Sequence, residues 1–420
     1  MKRKIDEEGE EDTLPDYQSI KCSLESVLKD KTIKDTLEEN VKIMHKLIIQ
    51  TLIFMKSYYL NSYYEGYVLF ATDSKFVLNV MKTISIKNPQ GRAASEENVT
   101  VQNDLKLFYE EVLKNVIPEA DFLNCKNLAT VMAYAANDIV QNYENNIKQH
   151  FTKHVARFGN VMYEKKRLVA ELKETEKDAT TRKRKISELC SKLKKIKNDL
   201  LLPHDHYESD ELEHEFISET RANILPQRPL EDEIVYLDIT CHPWEYLNGM
   251  IYMSIGVEER SEKLYNVFPL VTSIIPGHIR LDTTCLVNLF VSKKHGTGAK
   301  KKYNAGIVNY QAEIWGHFFK IEKKQFYLGS SNHEYQFDYQ IMTDGVSVVV
   351  LLKRKSLSGV NKRGPTRKRK KKKKKKEQYI TDEDIDLTEL KKKKLVAIDP
   401  NMGDLLFCVD SDSKDQTKFR

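Results

Sequence analysis

The chain has 420 residues, 40% of them hydrophobic and 31% charged, with a formal net charge of +6. That length and apolar content predict two or three domains with packed cores, and the charge implies much solvated surface. The richest apolar window, IMHKLIIQTLIFM at 43–55, is short and interrupted by His45, Lys46 and Gln50, which excludes it as a membrane span.

Residues 1–15 read as a charged, disordered tail with no apolar stretch of the kind a secretory signal needs. YQSIKCSLESVL (17–28) alternates loosely, as a strand does. Asp35 and Glu38 then form a capping-box pair that predicts a helix start. Leu37, Val41, Met44, Ile48, Leu52 and Met55 follow at helical spacing and carry that helix to about Tyr64. Residues 88–99 read as a loop, and 100–200 as almost wholly helical. Within NNIKQHFTKHVARFGN, Ile147, Phe151, Val155 and Phe158 form one apolar stripe, with Lys148, Lys153, His154 and Arg157 largely off it. Spacing alone allows a solvated basic face or a face laid on phosphates, and the first is the commoner outcome. Ile186, Leu189, Leu193, Ile196 and Leu200 step by three and four. With EKKRLVAELKETE before them, they predict an antiparallel helical hairpin over about 160–201, turning near 178–181.

His204, His206 and His214 stand among acids in LPHDHYESDELEHEF (202–216). Acid density and Pro203 suit a solvated linker better than a metal site. From Ile234 the composition turns to β. EIVYLDITC, IRLDTTCLVNLFV, KQFYLGS, YQFDYQIMTDG and VSVVVLLKR are rich in Val, Ile, Tyr and Phe, and predict a barrel or sandwich with short helices near 244–256. The Gly/Lys-rich loop 293–306 lacks the spacing of a phosphate-binding P-loop and reads at most as a basic loop near nucleic acid. Residues 353–376 hold fifteen Lys/Arg and no acid, including ten consecutive cations from Arg367 to Lys376; without them the chain is at −9. Self-repulsion predicts a solvated linker, suited to nuclear import or to nucleic acid, and otherwise a charged spacer. Six scattered cysteines, Cys22, Cys125, Cys190, Cys241, Cys285 and Cys408, include no C-x-x-C pair, which fits free thiols in a reducing compartment.

LVAIDPNMGDLLFCVD (395–410) closes the sequence of elements. Leu395 to Ile398 read as a central strand ended by Asp399, Pro400 stops the ladder, and LLFCV returns as a second strand. Asp-Pro also opens ordinary turns. A nuclease of the ribonuclease-H type begins in the same way, with a metal-binding Asp on its first strand.

This stretch resembles the first RuvC motif of Fanzor proteins, the eukaryotic relatives of transposon-encoded TnpB. PWEYLNGMIYMSIGVE and LYNVFPLVTSIIPGHIRLDT (within 243–283) are similar to the segment after that family's helical domain. IWGHFFKIEKKQFYLG and EYQFDYQIMTDGVSVVVLLKR (within 314–354), with Thr343-Asp344-Gly345, are similar to the segment before its nuclease domain. NNIKQHFTKHVARFGN, NILPQ and SIKCSLESVL resemble further pieces in matching order.

The resemblance implies an α+β multidomain protein: an RNA-guided DNA endonuclease with structured guide RNA and target DNA as partners, nuclear, monomeric with its RNA, and bound to no membrane. It implies a wedge-like β-barrel from 16–30 plus 229–352, a helical recognition lobe at 31–228 inserted into it, a polybasic linker at 353–394, and a RuvC opening at 395–420. Asp399 then matches the first catalytic, Mg²⁺-binding aspartate, and the face of Lys148, Lys153, His154 and Arg157 is expected to meet nucleic acid, as are Arg367, Lys368, Arg369 and Lys370. Two departures stand out. Asn401 replaces a common Gly, a mild change because Asn tolerates the same turn. The family's other two catalytic carboxylates and its zinc-binding cysteines lie downstream, whereas this sequence ends 21 residues after Asp399. The expectation is retained nucleic-acid binding with cleavage lost by truncation, and Mg²⁺ only where the RuvC domain is completed. The alternative is a nuclear scaffold or nucleic-acid-binding protein that uses its polybasic segment and has no nuclease role.

Overall fold

In the computed structural model the described residues are 15–66, 72–85, 96–116, 123–202 except 124 and 126, 207–231, 234–260, 262, 267–291 except 272 and 274, 306–327, 335–355, and the backbone of 396–399, 406–410 and 417–419. Strand β1 (Tyr17–Ser23) alternates exposed and half-buried residues and leads into a one-turn helix α1 (Leu24–Val27). Helix α2 (Ile33–Tyr64) buries Leu37, Val41, Met44, Leu52 and Met55 from the predicted stripe, with Ile48 half-buried. It starts two residues before Asp35, so the Asp35–Glu38 capping box does not form. The Asp30 carboxylate instead accepts the Thr32 N–H (2.9 Å) and hydroxyl (2.6 Å) just ahead of the helix.

Helix α3 (Ser74–Ser85) is preceded by Asp73, whose carboxylate accepts the Phe76 N–H at 2.8 Å. Helix α4 (Glu96–Phe108) claims Glu96–Val99 from the predicted loop; of the rest of that loop, 88–95 lie outside the described residues. A π turn (Tyr109–Leu113) and the short α5 (Lys114–Val116) follow. The 34-residue α6 (Ala129–Met162) is the central support, packing against α3 and against elements introduced below. The predicted hairpin is present as α7 (Lys165–Thr175) and α8 (Ala179–Leu200), turned by Asp178, whose carboxylate caps Thr181 N–H at 2.7 Å. Leu193, Ile196 and Leu200 of its seam are buried, while Ile186 and Leu189 are half-buried. Helices α9 (His214–Ile224), α10 (Val235–Cys241) and α11 (Leu247–Glu259) complete the helical part. Tyr143 and Trp244 stack at 5.4 Å in its core, and Phe151 meets Tyr246 edge-on at 4.8 Å. Such pairs contribute about 0.5–1.5 kcal/mol each beyond area burial.

Strand β2 (Ile279–Asp282), α12 (Thr283–Phe290), α13 (Gln311–Phe318), β3 (Tyr335–Thr343) and β4 (Ser347–Arg354) follow. The sheet order is β1-β4-β3-β2, all antiparallel, with Ile20 opposite Val350 and Leu281 opposite Ile341. Chain ends far apart in sequence therefore share one sheet, with all helices from α2 to α11 between β1 and β2 in sequence. Asp344 shapes the β3–β4 turn by accepting the Val346 and Ser347 N–H groups at 2.9 and 2.6 Å, and Gly345 takes a positive φ of 91°.

The fold is α+β, mostly helical with a small sheet, and the predicted closed barrel is not formed: β1 and β2 lie at opposite edges and do not pair. Three segments that read as β are responsible. EIVYLDITC contains α10, because Val235 and Ile239, four residues apart, are both buried on one helical face. IRLDTTCLVNLFV gives four strand residues and then α12, because the Asp282 carboxylate accepts the Cys285 N–H at 2.8 Å and caps a helix. In KQFYLGS, Lys324–Phe326 form a 3₁₀ turn, and 328–330 lie outside the described residues. Among the described residues, no helix is long and apolar enough to cross a membrane.

The chain divides into two compact units, 1–358 and 359–420. In the second, β5 (Val396–Asp399), β6 (Leu406–Asp410) and β7 (Thr417–Phe419) form an antiparallel sheet in that order. The predicted hairpin is thus joined by a third strand. Pairing places Val396 opposite Asp410 and Asp399 opposite Phe407.

Candidate nucleic-acid interface

Helix α6 buries Ile147, Phe151, Val155 and Phe158, as its stripe predicts. The four polar residues named with that stripe do not gather into one basic face. Nine residues separate Lys148 from Arg157, a rotation of roughly 180° on a helix of 3.6 residues per turn. Lys148 is half-buried and paired with Glu144 at 3.3 Å, which neutralises it locally. Lys153 is exposed, and Arg157, one turn on, lines a surface cleft at the end of α6.

His154 contributes no charge near neutral pH. Its pKa is pushed down to about 4, first by burial and then by His150, Arg157 and Lys153. His150 is a direct neighbour, with ring centroids 5.9 Å apart. An unfolded histidine titrates near ~6.5, so between the two values the unfolded chain takes up a proton that the folded chain refuses. The stability contributed by neutral His154 is therefore complete above about pH 6.5 and lost as pH falls toward about 4. His154→Gln is expected to flatten that pH dependence by about 1–2 kcal/mol, a figure reduced because the ring is partly solvated. Urea midpoints at acidic and neutral pH measure it, and identical pH profiles for parent and variant exclude the effect.

Arg367, Lys368, Arg369 and Lys370 lie outside the described residues. Asp399 is the last residue of β5, paired through the backbone with Phe407 of β6. His204 and His206 also lie outside the described residues. His214 is engaged otherwise, its ring stacked 3.9 Å from Tyr207 and its Nε2 3.2 Å from the Ser209 carbonyl oxygen. Among the described residues no group of His, Cys, Asp and Glu is placed to hold a metal ion.

One Ser, His and Asp constellation appears at the β3–β4 turn. His278 Nε2 is 3.3 Å from Ser347 Oγ and 3.5 Å from Asp344 Oδ2, while the Ser347 hydroxyl donates to Asp344 at 2.8 Å. A hydrolytic triad needs the two ring nitrogens to face different partners. Here one nitrogen faces both, and the serine proton is directed to the carboxylate, so the cluster braces the turn.

A concentration of positive charge that the sequence reading does not single out lies on one helical hairpin. The α7–α8 hairpin, 164–200, carries thirteen Lys/Arg against seven Asp/Glu. The signal was legible in EKKR and TRKRK, but the seam pattern directed attention to the apolar positions. Several of these cations are engaged within the hairpin: Lys185 pairs with Glu176 at 2.6 Å, and the Arg182 guanidinium donates to the Glu176 carbonyl at 3.1 Å.

Residues 279–354 match a family described as "Domain of unknown function (DUF8286)", a span that runs from the start of β2 to the end of β4. No curated protein matches the chain.

Proposed function

We propose that this chain binds a structured guide RNA and a DNA target in the manner of Fanzor proteins, as a nuclear, RNA-associated monomer encoded by a transposable element. The observation that carries the reading is the place of Asp399. It ends the first strand of an antiparallel three-stranded meander, the position at which a ribonuclease-H-type nuclease presents its first metal-binding carboxylate. A second feature supports it: one sheet receives strands from both sides of a long helical region, the order expected of a recognition lobe inserted into a wedge-like domain.

Mg²⁺ takes hard oxygen ligands, about six of them, and phosphodiester cleavage by two metals needs several carboxylates. Along the described strands β5, β6 and β7 only Asp399 and Asp410 are acidic, and the β5–β6 register puts them at opposite ends. These residues do not make a two-metal cage, and the activity proposed is binding. The expected result is guide-dependent target retention in a gel-shift assay, equal for the parent and Asp399→Ala, with no Mg²⁺-dependent cleavage by either. Cleavage by the parent that Asp399→Ala abolishes would overturn the binding-only assignment. The polybasic run motivates the alternative of a nuclear scaffold, which predicts binding to any polyanion with a steep fall in salt and no preference for structured RNA.

A further inference from the structure

The cleft at the end of α6 has a volume of about 880 Å³ and lies between that helix, α7 and the end of α11. Val161, Val169 and Ala170 supply its aliphatic side chains, along with the stems of the lining lysines and arginines. Three helical segments direct cations to it, Arg157 from α6, Lys165 and Lys173 from α7, and Arg260 at the end of α11. Among the described residues Lys165, Lys173 and Arg260 form no ion pair, whereas Lys166 and Arg167 are matched by Glu262 and Glu164.

Helix α7 has an unusual construction for a structural element. None of its eleven residues is fully buried. A helix of that length is marginal by itself in water, and most helices are stabilised by a packed face. Lys165, Lys166 and Arg167 occupy its first turn, where the helix dipole disfavours cations. The Glu164 side chain makes no capping bond there. Local preference is violated for a packing face, against α6 and α8, in which Leu168, Val169 and Leu172 are only half-buried, and this points to a partner outside the chain.

We propose that this cleft seats the sugar–phosphate backbone of a double-helical nucleic acid, independently of sequence. The inference rests on the nucleic-acid reading above and specifies the surface and the form of ligand. Charge complementarity selects a polyanion. None of the described lining residues is aromatic, and single strands are held by stacking on aromatic rings, so the lining suits a backbone whose bases are already stacked in a duplex. Lys165 and Lys173 stand about 12 Å apart along the helix axis. Over that length a duplex presents roughly seven phosphate charges, enough to engage the two lysines and Arg260. The lining also holds Asn160 and two carboxylates, Glu164 and Glu262, which are matched by Arg167 and Lys166; with cations in excess, the contacts position a duplex through its backbone.

The test uses the full chain and a short RNA duplex of arbitrary sequence. Amine acetylation read by mass spectrometry reports the site directly, whatever the polybasic segment contributes. Bound duplex is expected to protect Lys165 and Lys173 at least tenfold and to leave Lys42 and Lys46 on α2 unprotected. The triple variant Lys165→Glu, Lys173→Glu, Arg260→Glu is expected to lower the slope of log affinity against log salt by about 3. Lys42→Glu, Lys46→Glu, Lys106→Glu carries the same charge change elsewhere and is expected to shift it by less than half as much. Retained helical circular dichroism shows that the variants fold. Duplex binding without protection of the two lysines overturns the inference and leaves the RNA-guided reading standing. Protection by polyglutamate but not by duplex assigns the cleft to an acidic peptide and overturns it as well. Protection by arbitrary duplex without guide-dependent target retention sinks the RNA-guided reading alone.

Discussion

Arg228→Ala is expected to destabilise the folded chain by about 3–5 kcal/mol, the cost of leaving a buried charge without its partner. The Asp238 side chain on α10 is completely buried. It receives both arms of the Arg228 guanidinium at 2.9 and 3.2 Å, the Tyr246 hydroxyl at 2.7 Å and the Glu231 N–H at 2.9 Å. Burial pushes the Asp238 pKa up, but Arg228, the Glu231 N–H and Tyr246 together outweigh it and hold the carboxyl below its ordinary range. Removing Arg228 strips the charged partner and leaves a desolvated carboxylate. Removing Asp238 leaves an arginine that is 34% exposed and still paired with Glu245 at 2.8 Å. Asp238→Ala is therefore expected to cost less than Arg228→Ala. In the Arg228 variant the cation no longer helps to hold the Asp238 pKa down against burial. The penalty then shrinks as pH falls and the group becomes neutral. Urea denaturation at several pH values measures both features, and a loss below about 1 kcal/mol would show that the pair is not the anchor of this corner.

Gly249→Ala is expected to cost about 2–3 kcal/mol, although alanine is the better helix former. Gly249 sits in α11 where that helix crosses the end of α9. A Cβ there meets the Ile224 carbonyl oxygen at 2.5 Å and its Cα at 2.7 Å. Both are backbone atoms, so relief requires the two helices to separate. Gly159, inside α6, provides the opposite case: a Cβ there meets nothing within 4 Å. Gly159→Ala is expected to stabilise by about 0.5–1 kcal/mol, since only the entropy of the glycine is removed. Thermal melts of the two variants should move in opposite directions. A Gly249→Ala protein as stable as the parent would falsify the close approach of α9 and α11.

Both effects depend on contacts between segments that their own sequences do not announce. Gly249 reads as an unremarkable helix interruption until Ile224 is placed against it. Nothing in the local pattern of Arg228 and Asp238, ten positions apart, shows that the two meet or that Asp238 faces inward. The same holds for the candidate interface. The stripe of α6 is visible in its spacing, but the neutralisation of Lys148 by Glu144 and the loss of charge on His154 depend on packing and rotation.

The long helices α2 and α6, the α7–α8 hairpin, the β3–β4 hairpin and the strand ending at Asp399 were determined by the sequence alone. The helices and longer strands express a local period, 3.6 or 2, and the strand at Asp399 a continuous apolar run stopped by Pro400. The tertiary structure decided the rest. It joined β1 to β4 across more than three hundred residues, made helices of Val235–Cys241 and Thr283–Phe290, kept the sheet open, and shaped the cationic cleft from three separate helical segments. The physical reason is the range of the interactions. Periodicity and capping act between residues a turn apart, whereas strand pairing, desolvation and charge matching depend on neighbours that only the folded chain brings together.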